Sequence, residues 1–171
     1  GTIFTIAGCT DTADGNHVDP IVVVTEESVL NQTGGTINSS GNDYGLEVAV
    51  QAGRKGRVIL NGGELKVHHL RGGIASQSYP TPGAGWAALE ADGGTLVARA
   101  ADANLIAYFD EAKLGEKGLT VESDFDVTIP QDFTDKADAE GRLVLSGKGV
   151  KTLAGTESDY ATLEVDGGKA V

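Results

Sequence analysis

Leu89-Glu90-Ala91-Asp92-Gly93-Gly94-Thr95-Leu96-Val97-Ala98 is the stretch whose reading decides the fold. An apolar run ends at an acidic residue, two glycines follow, and a second run opens with Thr and an aliphatic. The same Gly-Gly-x-aliphatic mark stands at Gly34-Gly35-Thr36-Ile37, Gly62-Gly63-Glu64-Leu65 and Gly167-Gly168-Lys169-Ala170. Single-glycine versions occur at Gly118-Leu119-Thr120-Val121 and Gly141-Arg142-Leu143-Val144-Leu145. The first glycines fall at 34, 62, 93, 118, 141 and 167, in steps of 23 to 31 residues. Such drift is too loose for a heptad or a strict short repeat, but it suits coils that keep their strands and vary their loops.

Asn61, Asp92 and Asp166 stand before their glycine pairs and follow the runs Val58-Ile59-Leu60, Ala87-Ala88-Leu89 and Leu163-Glu164-Val165. The unit is therefore strand, Asn/Asp-Gly-Gly corner, strand. The same dipeptides signal two-residue hairpin turns, so an antiparallel sandwich or meander competes. The return of one tetrapeptide with the same kind of aliphatic after it favours a stack, because like residues at like positions form ladders in register. Strand alternation supports this, with Leu46, Val48 and Val50 set against Glu47, Ala49 and Gln51, and Leu143 and Leu145 against Arg142 and Val144.

The expected fold is all-β, a right-handed single-stranded parallel β-helix of about six coils with no substantial helix. It occupies residues 1–171 as a single segment of a longer stack, with Gly34, Gly35, Gly62, Gly63, Gly93, Gly94, Gly167 and Gly168 as structural corners. Six coils amount to roughly 30 Å at ~4.8 Å per coil. The inward ladder is expected to collect Ile37, Leu65, Leu96 and Leu143 and to close on Ala170. Leu119 is one residue out of step, so either Val121 fills that rung or the coil carries a bulge. A helix competes over Asp102 to Leu114, where Leu105, Phe109 and Lys113 lie four residues apart. A strand over Leu105 to Phe109 with a turn at Asp110-Glu111 keeps the coil's wall complete. Loops are expected at Cys9 to Pro20, Asn38 to Tyr44 and Ala75 to Gly85.

Composition agrees with an all-β chain. Gly supplies 25 of 171 residues, about twice the usual share of roughly 7%, while Met is absent and aromatics are 5%. The core must then be built from Val, Leu, Ile and Ala, which suit closely stacked strands. A formal charge of −12 opposes nucleic-acid binding and attraction to anionic lipid. The lone Cys9 excludes an internal disulfide and a Cys-based zinc site. No apolar run reaches the length of a membrane span, and Gly1-Thr2-Ile3-Phe4 does not read as a signal peptide, so any export signal is expected to have been cut away.

The stretch Leu89 to Ala98, followed by Gly118-Leu119-Thr120-Val121 and Phe125-Asp126-Val127-Thr128-Ile129, resembles the passenger-associated repeat of autotransporters. Gly141-Arg142-Leu143-Val144-Leu145-Ser146-Gly147-Lys148-Gly149 is similar to that repeat's glycine-flanked strand. The resemblance spans roughly residues 55 to 171. It implies a parallel β-helix on the surface of, or secreted by, a bacterium, in a stalk that serves adhesion, aggregation or polysaccharide contact. Tyr160-Ala161-Thr162-Leu163-Glu164-Val165 departs from the family's Gly-Gly-Thr-Thr stretch, and no translocator barrel is present in the sequence.

Candidate chemistry is sparse. His68 and His69, as neighbours on a strand, point to opposite faces and do not chelate one ion together. Asp11, Asp14, Asn16 and Asp19 gather oxygen ligands in a Gly-containing loop, a weak Ca²⁺ candidate whose spacing misses the EF-hand pattern. Asp124, Asp126, Asp132, Asp135 and Asp138 form a second acidic group, read as a solvated turn, although paired carboxylates also serve glycosidases. Tyr79 and Trp86 flank two prolines in a loop and are the candidate ligand-binding residues, by sugar or partner contact. No phosphate-cradling loop and no Gly-x-Ser-x-Gly elbow occurs.

These readings lead to a structural and adhesive module with no enzyme activity, no cofactor and no dedicated metal. Its expected partners are glycans, other surface proteins or further copies of the chain end to end, with no nucleic acid and no membrane insertion. A polysaccharide lyase or glycosidase on the same scaffold, and a phage tail or fibre module, are the alternatives.

Overall fold

The computed structural model describes residues 3–6, 10–13, 22–24, 28–39, 45–49, 52–73 and 85–171, with side chains from residue 29 onward except at 39. Among the described residues eighteen strands follow one another: β1 (Ile3–Ile6), β2 (Thr10–Ala13), β3 (Val22–Val24), β4 (Ser28–Ser39), β5 (Leu46–Val48), β6 (Lys55–Val67), β7 (Leu70–Gly72), β8 (Trp86–Ala91) and β9 (Gly94–Ala98). They continue as β10 (Ile106–Ala107), β11 (Glu111–Leu114), β12 (Leu119–Glu122), β13 (Val127–Ile129), β14 (Thr134–Asp135), β15 (Arg142–Ser146), β16 (Val150–Leu153), β17 (Thr162–Asp166) and β18 (Lys169–Ala170). Among the described residues there is no helix, and each paired set of strands is parallel.

The large sheet is bent into two wings by the glycine corners. β6 crosses the bend: Lys55–Leu60 pairs with β8, Glu64–Val67 pairs with β9, and both halves lie against β4. The first wing continues through β11 to β14, the second through β12 and β15 to β17. A second sheet runs β3, β5, β7, β10, and a third runs β13, β16, β18. The two meet where Thr128 N–H donates to the Asp102 carbonyl (2.8 Å) and Leu105 N–H donates to the Thr128 carbonyl (2.9 Å).

At Gly63 the corner requires glycine twice over. Its φ is +79°, a left-handed value that L side chains resist, and a Cβ there would sit 2.6 Å from the Gly34 carbonyl carbon of the strand alongside. Gly35 and Gly93 hold the same hand at φ +69° and +111°. Gly167 and Gly168 lie elsewhere, between the second wing and the third sheet, so the four Gly-Gly marks do not all turn the same corner.

Apolar rungs from all faces fill one core. Leu30, Val58, Leu89 and Ala112 are register partners on the first wing, and Leu46, Leu70 and Ile106 on the second sheet. On the second wing the ladder runs Ile37, Leu65, Leu96, Val121, Leu145 and Val165. Val121 thus fills the rung for which Leu119 was out of step, and there is no bulge between β9 and β12. Leu143 belongs to the neighbouring rung with Leu119 and Leu163, and Ala170 pairs with Lys151 in the third sheet. These two corrections to the expected ladder have separate causes: Leu145 stands four residues after Gly141 where the earlier rungs stand three after their glycines, and Gly167-Gly168 turns from the second wing into the third sheet. The region Asp102 to Leu114 is extended, with the short β10 and then β11, and Tyr108 between them at φ +67°.

Asp138 is exposed in the turn joining β14 to β15 and holds φ +61°. Asp138→Gly is expected to raise stability by about 0.5 kcal/mol, because relief of left-handed strain outweighs the added freedom of the unfolded chain. A small upward shift of the urea midpoint with unchanged slope is the expected reading.

Candidate functional site

The second sheet carries a polar seam. Glu47 on β5 and Arg71 on β7 are register partners, and Asp102 lies on the next pass of the chain. The Arg71 Nη2 donates to both Asp102 oxygens at 2.7 and 2.8 Å, and its Nε donates to the Asn104 carbonyl at 3.0 Å. Asn104 N–H donates to Asp102 Oδ1 at 2.6 Å. His69, 4% exposed, lies between two carboxylates, with Nδ1 3.7 Å from Asp102 Oδ2 and Nε2 3.6 Å from Glu47 Oε1. Glu47 Oε2 and His69 Nε2 are buried without a hydrogen-bond partner. Burial by itself raises the Asp102 carboxyl; His69, the Asn104 amide and the Arg71 charge outweigh it and hold the group below the ordinary carboxylate range. A carboxylate so engaged is a poor proton acceptor, and the seam ties three passes of the chain together.

His68 is half-exposed and His69 buried, as expected of neighbours on opposite faces of an extended chain. Glu47, Arg71 and Asp102 escaped the sequence reading because they lie 24 and 31 residues apart. Only the coincidence of these separations with the spacing of the glycine marks could have flagged them.

The acidic residues have a shared employment. Asp92 Oδ1 accepts from Lys117 N–H (3.0 Å), Asp124 from Lys148 N–H (3.1 Å), Asp126 from Val150 N–H (2.9 Å) and Asp132 from Glu157 N–H (2.8 Å). Asp135 Oδ1 accepts from Gly141 N–H (2.8 Å) and Ala161 N–H (3.2 Å). Apart from the local Gly141 bond, each latches a backbone donor on the following pass, 24 to 26 residues on. Parallel corners leave N–H groups without ladder partners, and Asp supplies the acceptor. Four members of the second acidic group, Asp124, Asp126, Asp132 and Asp135, are therefore cross-pass caps where a solvated turn was expected.

Lys151 is buried in the third sheet, where a core aliphatic would be expected. Its Nζ donates to the carbonyls of Ser123 (2.8 Å), Gly147 (2.8 Å) and Gly149 (3.0 Å). Burial lowers its ammonium from the usual range, while Asp124, Asp126 and Glu122 oppose that shift. Lys151→Met is expected to cost about 2–3 kcal/mol, since it strands buried carbonyl oxygens without a donor. Urea unfolding at neutral pH reads this as a lowered midpoint.

Two open hollows mark the outer surface. One, of about 380 Å³, is lined by Ala101, Asp102, Ala103, Asp126, Thr128 and Thr152 together with two valines. The other, of about 460 Å³, follows the corner before β11 and includes Asp110, Gln131 and Asp132. Among the described residues no group of three or more His, Cys, Asp or Glu could hold a metal ion.

Trp86 opens β8 half-buried, with its N–H donating to the Arg54 carbonyl at 2.9 Å. Tyr79 lies outside the described residues, as do Asp14, Asn16 and Asp19 and the side chain of Asp11. No helix among the described residues is long and apolar enough to cross a membrane. No known family model, curated protein or solved structure matches this chain.

Proposed function

We propose that the chain is a right-handed parallel β-helix of about six coils that serves as a structural and adhesive module of a secreted or cell-surface bacterial protein. Its wall and loops contact glycans, cells or neighbouring chains. The observation that carries this reading is the recurrence of three strand sets in fixed order, each parallel to its counterpart one coil on. Right-handedness follows from the near-universal hand of crossovers between parallel strands of one sheet. Such a stack is a rigid display surface, and its two hollows are open grooves along that surface. Contact with neighbouring chains is favoured by β17, where Leu163 and Val165 continue the inner rungs yet are 46% and 45% exposed.

Binding of the purified chain to intact bacterial and host cells, and to itself by sedimentation, tests the reading. Saturable binding to cells or concentration-dependent self-association is expected. Absence of both, together with release of reducing or unsaturated ends from a polysaccharide, would replace it with a carbohydrate-active enzyme.

A further inference from the structure

Resting on the adhesive reading, the 380 Å³ hollow gives that surface a definite ligand class. It lies where outward side chains on successive passes are small. Asp102 bridges to Val127, which sets Ala103 beside Thr128, and Thr128 is the register partner of Thr152. A second column sets Asp126 beside Val150, whose N–H Asp126 Oδ1 accepts. The trough therefore crosses the strands instead of following them, and its floor is ladder-paired backbone with no free sheet edge. A peptide strand has nothing to pair with there.

The floor instead offers methyl groups from Ala103, Thr128, Thr152 and Val150 with two hydroxyls and the Asp126 carboxylate among them. Alternating apolar patches and hydroxyl partners match a pyranose ring, whose C–H faces pack on methyls while its hydroxyls bond to oxygen. The ligand's charge is constrained too. The Arg71 guanidinium is already engaged by Asp102, the exposed Asp126 carboxylate accepts from an amide, and the chain carries −12, all unfavourable to polyanions. We infer that this trough binds a neutral oligosaccharide chain laid across successive coils, and that it discriminates against uronate polymers.

The test is a titration of the full chain, followed by NMR or calorimetry, with neutral β-linked oligosaccharides (xylose, glucose and N-acetylglucosamine series) and with oligogalacturonate. Saturable binding of at least one neutral series is expected, with no binding of the uronate. Ala103 is exposed, so Ala103→Trp fills the trough without touching the core, and circular dichroism and urea midpoint check that it folds. This variant is expected to weaken binding at least tenfold, and Thr152→Val to weaken it several-fold. Neutral glycan binding that survives Ala103→Trp overturns the trough while leaving an adhesive role intact. Tighter binding of the uronate, or no glycan binding at all, also overturns it, and the cell-binding assay then decides the broader reading separately.

Discussion

Gly118→Ala is expected to remove about 3–5 kcal/mol of stability, combining left-handed backbone strain with overpacking against rigid neighbours. Gly118 holds φ +68°, and its carbonyl accepts from Gly93 N–H at 2.7 Å on the preceding pass of the chain. A Cβ there would be driven into the Arg142 carbonyl of the following pass, with the Arg142 carbonyl carbon and Cβ each 2.8 Å away. The residue is thus clamped from both sides and has no direction in which to yield. Gly53→Ala supplies the comparison, since Gly53 has φ +76° but nothing within 4 Å of its added Cβ. That variant is expected to lose only about 1–2 kcal/mol, the strain alone. Equal losses for the two, measured by urea unfolding, would show that strand-to-strand closeness at Gly118 contributes nothing.

Asp102→Ala is expected to cost about 3–5 kcal/mol at neutral pH, because it leaves the Arg71 guanidinium uncompensated in a site where the pair is only 13% and 16% exposed. It also strips the Asn104 amide of its acceptor and His69 of one neighbouring carboxylate. The pH dependence has a definite sign. The Asp102 carboxyl is held below its ordinary value of 3.8 in the folded state, so its contribution is present above that value and is lost as pH falls through the folded one. Wild-type stability should therefore fall more steeply below about pH 4 than that of Asp102→Asn, whose side chain does not titrate. Parallel acid limbs for the two proteins would remove Asp102 from the account.

Much of the frame was legible before any coordinates. The Asp-Gly-Gly corner read correctly as a strand break at Asp92, whereas Asn61-Gly62-Gly63 bends β6 without breaking it, and alternation at Leu143 and Leu145 gave the strand and its buried side. The helical spacing of Leu105, Phe109 and Lys113 lost to extended structure because Leu105, Ile106 and Leu114 are all buried on successive faces of the wall, a demand no single helix face meets. The ladder was misjudged where the distance from glycine to rung changed. Val121 stands three residues after Gly118, as Leu96 does after Gly93, but Leu145 stands four after Gly141. Leu143 and Leu145 share the buried face, so local alternation could not tell which of the two meets Val121.

What the sequence by itself determined is the kind of wall: short β-branched and aliphatic strands, corners that only glycine makes without strain, and an acidic surface. Those are properties of a residue and its immediate neighbours. The tertiary structure decided which residues share a rung, and with that everything chemical. It set Arg71 on Asp102 and Lys151 under three carbonyls, placed the aspartates on amides of the following pass, and aligned Ala103, Thr128 and Thr152 along one hollow. Each of these depends on how many residues the intervening loops absorb. That number is fixed by bringing each parallel strand into register with its neighbours and is not encoded at either end of the contact.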